Sequence, residues 1–174
     1  MTRTALTTLV LVAMATASLL GQEKKSDGKE PGKAAFEQFK LLAGEWVGKA
    51  QGKDGADVHI QYKVTAAGRA VVETIFPGTE HEMVSVIHRD GPDLILTHYC
   101  MLGNQPKMKA SGKGETNKVE FKFVSATNLK SEKDKHMHDA TYTFVDKDTL
   151  RSEWTHYNDG KAAGQVVFDL KRKK

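Results

Sequence analysis

Cysteine is nearly absent from this chain. Cys100 is the only one among 174 residues, so no intramolecular disulfide can form and stability has to come from secondary structure and core. The sequence also has no P-loop, no glycine-rich dinucleotide fingerprint and no serine-centred nucleophile elbow, which removes the commonest routes to nucleotide and acyl-transfer chemistry. A basic body is missing as well. The formal charge of +4 divides between Arg3, a charged stretch at 23–33 (+1) and the terminal Lys-Arg-Lys-Lys at 171–174 (+4), leaving −2 for residues 34–170. Nucleic-acid binding wants a basic face on the fold itself, and the charge pattern offers none. The C-terminal cluster reads as a solvated end.

The one long apolar run lies at the start. Arg3 precedes a Thr- and Ser-sprinkled apolar stretch over 5–20, and small residues follow at Ala15, Ala17 and Gly21. This is the pattern of a secretory signal peptide over 1–22, which predicts a periplasmic or secreted protein with no integral membrane span after cleavage. The polar segment 23–33 reads as a disordered linker and 34–174 as a single domain.

Within that domain the hydrophobic period changes once. Residues 34–43 carry Phe36, Phe39, Leu41 and Leu42 at helical spacing, with Gly44 placed to end the helix. The period then falls to two. Ten strand candidates follow at 45–51, 58–65, 69–76, 81–89, 93–101, 107–113, 118–125, 136–145, 149–157 and 164–171. Turn sequences such as Lys53-Asp54-Gly55, Asp90-Gly91-Pro92 and Asn158-Asp159-Gly160 separate them. Ten strands in one sheet would leave exposed edges unless the sheet closes. The predicted fold is therefore all-β: a closed antiparallel up-and-down β-barrel of about ten strands with one short N-terminal helix, with a two-sheet sandwich as the alternative. The charged connection 126–135 is long for a hairpin and reads as a mobile loop or a lid.

Charges on alternate positions set the faces. Glu120 and Lys122 outside put Val119, Phe121 and Phe123 inside. Asp139, Thr141 and Thr143 outside put His136, His138, Ala140, Tyr142 and Phe144 inside. Arg151 and Glu153 outside put Leu150, Ser152, Trp154 and His156 inside. The same reading turns His81, Met83, Ser85 and Ile87 inward, together with Leu94, Leu96, His98 and Cys100, and places Glu73 outward. Antiparallel hairpins then bring His81 beside His98 and His138 beside His156. Closure would gather them at one mouth.

His136-Met137-His138 puts two imidazoles on one strand face, a pair that zinc or a related metal takes with a third ligand from a neighbouring strand. His98 or His156 would supply it. A polar pocket of neutral histidines is the plainer reading. Cys100, two residues from His98, is read as a buried thiol rather than a nucleophile, since no oxyanion hole or third orienting group is apparent.

The stretch Leu41-Leu42-Ala43-Gly44-Glu45-Trp46-Val47-Gly48 is similar to the opening of calycin-type barrels, the superfamily of lipocalins and the smaller ten-stranded nitrobindin-like proteins, where a short helix leads into a G-x-W strand. The segments 77–84 (PGTEHEMV), 96–100 (LTHYC) and 103–108 (GNQPKM) resemble an uncharacterised bacterial family of exported lipocalin-like domains. The resemblance implies a ligand-binding barrel whose Trp46 closes the base. In its nitrobindin-like members it implies haem held by one histidine, which maps to no single residue here.

The expectation is an exported barrel binding a small, partly apolar or amphipathic molecule. Its pocket would be lined by His81, Met83, His98, Cys100, Met108, Phe121, Phe123, Tyr142, Phe144 and Trp154. The alternative is a divalent-metal or haem barrel using His98, His136, His138 and His156, with catalytic activity attached. No catalytic residue is assigned, and an enzyme is the second choice. A third reading is a barrel packed solid, its surface serving a partner.

Overall fold

The computed structural model describes residues 31–51, 55–110 and 117–174; the expected signal segment and most of the expected linker lie outside them. Helix α1 (Pro31–Leu41) is followed by ten strands: β1 (Gly44–Ala50), β2 (Asp57–Thr65), β3 (Ala70–Ile75), β4 (Met83–Asp90), β5 (Asp93–Tyr99), β6 (Gln105–Ala110), β7 (Lys118–Thr127), β8 (His136–Asp146), β9 (Thr149–Asn158) and β10 (Lys161–Arg172). Each strand pairs antiparallel with its neighbours in sequence. β1 pairs with β10, so the sheet closes into the expected barrel. Closure leaves no edge strand exposed.

The helix begins three residues earlier than the periodicity suggests. Proline suits the first helical position because the amide it lacks would have no partner there. The next residue, Gly32, lies so close to the β4–β5 turn that a Cβ would sit 2.3 Å from the Pro92 carbonyl oxygen. Gly32 N–H donates to that same oxygen at 3.2 Å, pinning the helix start across one end of the barrel. Phe36, Phe39 and Leu42 are buried while Leu41 is exposed. Phe39 enters the barrel and meets Phe121, Tyr142 and Phe144 at centroid separations of 5.9, 5.0 and 5.3 Å.

Trp46 completes this closed end. It is fully buried, its Nε1–H donates to the Leu42 carbonyl at 2.7 Å, and it meets Tyr62 edge-on. Arg172 covers its outer face with the guanidinium carbon 4.5 Å from the ring. The same guanidinium donates to the carbonyls of Leu41 and Ala43, each at 2.8 Å. Leu41 is the last helical residue and Ala43 lies just beyond it; carbonyls at a helix C-terminus lack intrahelical partners and form the negative end of the dipole. The solvated-end reading of 171–174 is corrected at Arg172, while Lys171, Lys173 and Lys174 are exposed. Lys171 donates to Thr149, Arg172 caps the helix, and Lys173 reaches Glu45. A strand that closes a barrel cannot fray while both its neighbours hold it.

Two faces differ from the alternation expected. Glu73 points inward and is fully buried, because Val71, Glu73 and Ile75 form the inner row of β3. With valine at both 71 and 72 the pattern gives no direction, and a glutamate ordinarily marks the outside. On β8 a bulge between Met137 and Asp139 leaves His138 without a register partner on β9. One extra residue reverses the side-chain phase. Met137 faces the interior, and His136 and His138 do not share the face of Ala140 and Tyr142.

Candidate functional site

A continuous polar row crosses the barrel interior. Register pairs Tyr62 with Glu73, Glu73 with Ser85, and Ser85 with His98, so β2, β3, β4 and β5 each contribute one inward residue at the same height. Tyr62 donates its hydroxyl to Glu73 Oε1 at 2.6 Å. Tyr142 reaches across from β8 and donates to Oε2 at 2.9 Å. Ser85 supplies a third hydrogen bond to the carboxylate. Its Oγ also lies 3.0 Å from His98 Nδ1. Burial raises the Glu73 pKa, and the three hydrogen bonds work against that rise. Burial, then the Glu73 charge, holds both tyrosine hydroxyls well above their usual range, so they remain donors.

The row bears on the imidazole. A Ser85 hydroxyl that donates to Glu73 accepts from His98 Nδ1–H, and a neutral ring in that tautomer carries its lone pair on Nε2. Burial lowers the His98 pKa to about 4. His98 Nε2 has no partner and no contact with bulk water, and the same holds for Nε1 of Trp154, whose ring centroid is 4.8 Å from that of His98.

A pH dependence follows. Below about pH 6.5 the unfolded chain protonates this histidine while the fold does not. The contribution of His98 to stability is intact above that value and declines as pH falls toward about 4. Between pH 6.5 and 4.5 the loss should be roughly 2 kcal/mol. Glu73, with its raised pKa, acts in the opposite sense, so the comparison needs a variant. Urea unfolding of the wild type should weaken by that amount more than unfolding of His98→Gln over the same interval; equal slopes would contradict a buried neutral His98.

His98 and Trp154 belong to the inner wall of a cavity of about 350 Å³ at the end opposite α1. Ala50, Ile75, Phe76, Met83, Cys100, Met137, Val166 and Phe168 line it, with Met101, Leu102 and Lys135 on loops and His156 on β9. Gly164 makes room for His156: β10 bulges between Ala162 and Gly164, and a Cβ at Gly164 would come within 2.6 Å of the imidazole Cε1.

Of the pocket residues expected from sequence, Met83, His98, Cys100 and Trp154 line this cavity. Met108, Phe121 and Tyr142 are core, fully buried, and Phe144 packs against that core. His81 is not inward: β4 begins only at Met83, and the His81 side chain is 59% exposed beside Glu80. Burial raises the Cys100 pKa, which keeps it a thiol.

The four histidines divide. His98 and His156 line the cavity, whereas His136 and His138 fill a split between β7 and β8, whose pairing stops at Phe121 and Ala140. There His138 stacks between Phe123 and Tyr157 at 4.8 and 3.7 Å, and His136 Nδ1 bonds the Asp134 carbonyl at 2.7 Å. Among the described residues no three His, Cys, Asp or Glu side chains are grouped to hold a metal ion. The residue that sequence reasoning missed is Glu73. The available signal was Tyr62, Ser85 and Tyr142 in inward phase with nothing apolar to do at their tips.

The chain thus belongs by fold to the closed ten-stranded antiparallel barrels with a cavity at one end. Its backbone resembles the crystal structure of Rv2717c from M. tuberculosis, with a TM-score of 0.57 and 14% identity over 80% of this chain and 98% of that one. It also resembles a protein of unknown function from the DUF3598 family of Nostoc punctiforme, with a TM-score of 0.53 and 15% identity over 78% of this chain; the match spans about half, 49%, of that longer protein. At these identities the likeness is one of fold. No protein-family model matches the chain, and no curated protein matches it in sequence.

Proposed function

We propose that this protein is an exported barrel that binds a small, partly apolar molecule in the cavity at its open end. The observation that carries the reading is the cavity itself: about 350 Å³, walled almost wholly by apolar side chains, with His98 at its inner wall holding an unpartnered nitrogen. Binding sites are of this size and kind, an apolar wall with a few fixed polar groups. Export is supported by the N-terminal sequence pattern. A neutral environment-sensitive fluorophore, 1-aminoanthracene, should bind with enhanced emission, and a molecule extracted from the native protein should displace it. Val166→Trp, which fills the cavity from β10, should weaken the probe at least about ten-fold with the β-sheet circular dichroism preserved. Unchanged binding in that variant would place the probe elsewhere and remove the reading.

A haem-binding barrel is the second reading, favoured by the unpartnered Nε2 of His98 and by His156 in the lining of the same cavity. A cofactor that asks for one axial histidine fits these residues better than a divalent ion that needs three, given how the histidines divide. When bound, haem would supply redox or small-gas chemistry. The residues of this chain would hold its iron and exclude water. A Soret band in protein purified without added haem, lost in His98→Leu, would move the assignment to this second reading.

A further inference from the structure

The polar row prescribes what a ligand must carry. Buried polar atoms are nearly always hydrogen-bonded, and those that are not call for an explanation. Here two rings in contact at the inner cavity wall each carry an unpartnered nitrogen. His98 Nδ1 lies 3.0 Å from Ser85 Oγ, and with the proton on Nδ1 the other ring nitrogen, Nε2, is an acceptor. Trp154 Nε1–H can only donate. Their rings lie 4.8 Å apart.

We propose that the cavity is selective for neutral hydroxylated apolar molecules, phenols or fused-ring alcohols, whose single O–H donates to His98 Nε2 while its oxygen accepts from Trp154 Nε1–H. This rests on the ligand-binding reading above and names its substrate class. A hydroxyl is the smallest group that satisfies both nitrogens at once. A bare hydrocarbon leaves both unsatisfied. A carboxylate cannot donate to Nε2, and its charge would be buried against an inner wall whose residues include no lysine or arginine. Among the residues lining the cavity the lysine is Lys135, exposed on the β7–β8 loop at the rim.

Three isosteric probes decide the matter: naphthalene, 2-naphthol and 2-naphthoate, titrated into the full folded domain with Trp154 emission and calorimetry as readouts. 2-Naphthol should bind roughly ten-fold or more tightly than naphthalene, because a site with unpaired polar groups penalises the analogue that cannot pair them. 2-Naphthoate should bind more weakly than 2-naphthol. His98→Leu should erase the preference while keeping naphthalene affinity. Ser85→Ala, which frees the tautomer without touching the cavity, should reduce the preference and serves if His98→Leu does not fold. Equal affinity for naphthol and naphthalene in the wild type would overturn the hydroxyl assignment and leave the apolar cavity reading standing. That result is also expected if the two nitrogens are satisfied by a trapped water or stay sealed from the ligand. Tightest binding of the carboxylate would overturn it too. Failure of all three probes, with 1-aminoanthracene indifferent to Val166→Trp, would overturn both readings together.

Discussion

Glu73→Ala should destabilise the barrel by at least about 3 kcal/mol, measured by urea unfolding at neutral pH. The carboxylate is the common acceptor of Tyr62, Tyr142 and Ser85, and all four side chains are fully buried. Removing it strands three donors away from water, each costing on the order of 1–3 kcal/mol, and leaves a void in the middle of the barrel. Relief from burying the carboxylate offsets part of this. Glu73→Gln, which keeps the volume and one acceptor oxygen, should cost less, about 1–3 kcal/mol. The combination Glu73→Leu, Tyr62→Phe and Tyr142→Phe should recover most of the loss, because a network deleted whole leaves few partners stranded. A loss under about 1 kcal/mol in Glu73→Ala would mean that water enters the row in its place. Loss of Glu73 should also release Ser85, and with it the tautomer of His98, so ligand preference should relax even where the fold survives.

Trp46→Ala is the second large effect, about 3–5 kcal/mol, as for other buried aromatic truncations. The ring seals the end of the barrel beneath α1, hydrogen-bonds Leu42, packs edge-on against Tyr62 and supports the Arg172 guanidinium. Its removal opens the core where the helix, β1 and β10 meet. Trp46→Phe should cost less because the ring face that carries Arg172 persists while the bond to Leu42 is lost. The two ends should respond independently: Trp46 substitutions should lower the unfolding midpoint while leaving 1-aminoanthracene affinity unchanged under conditions where the protein is folded, since Trp46 and the cavity lie at opposite ends. A parallel loss of probe affinity in folded Trp46→Phe would show that the closed end controls the open one.

The strand count, the closed meander and the single helix were legible because they depend on local alternation and turn chemistry, both written along the chain. The gathering of chemistry at one mouth was also legible in part. His98 and His156 do meet at the cavity, since each ends an inward-facing run on its strand. His81 fails because the β3–β4 turn runs to Glu82, where the glutamate side chain takes the Gly78 amide at 2.6 Å and delays the strand. His136 and His138 fail because of one extra residue in β8, which no charge pattern announces. Phe121, Tyr142, Met108 and Phe144 are interior, as their alternation predicts. Interior and cavity are different places, though, and α1 fills the half of the barrel where these residues lie.

The sequence by itself determined the elements, their order and the sidedness of most strands, because a period of two with charges on one face admits one register. It also determined that Trp46 is core. Only the tertiary structure decided which end of the barrel is plugged and which is open, because that depends on where Phe39 of α1 inserts among strands more than 80 residues away. It decided, too, that a glutamate could face inward. A buried carboxylate is tolerable only where three donors from β2, β4 and β8 converge on it, and convergence is a property of closure, which no single strand carries.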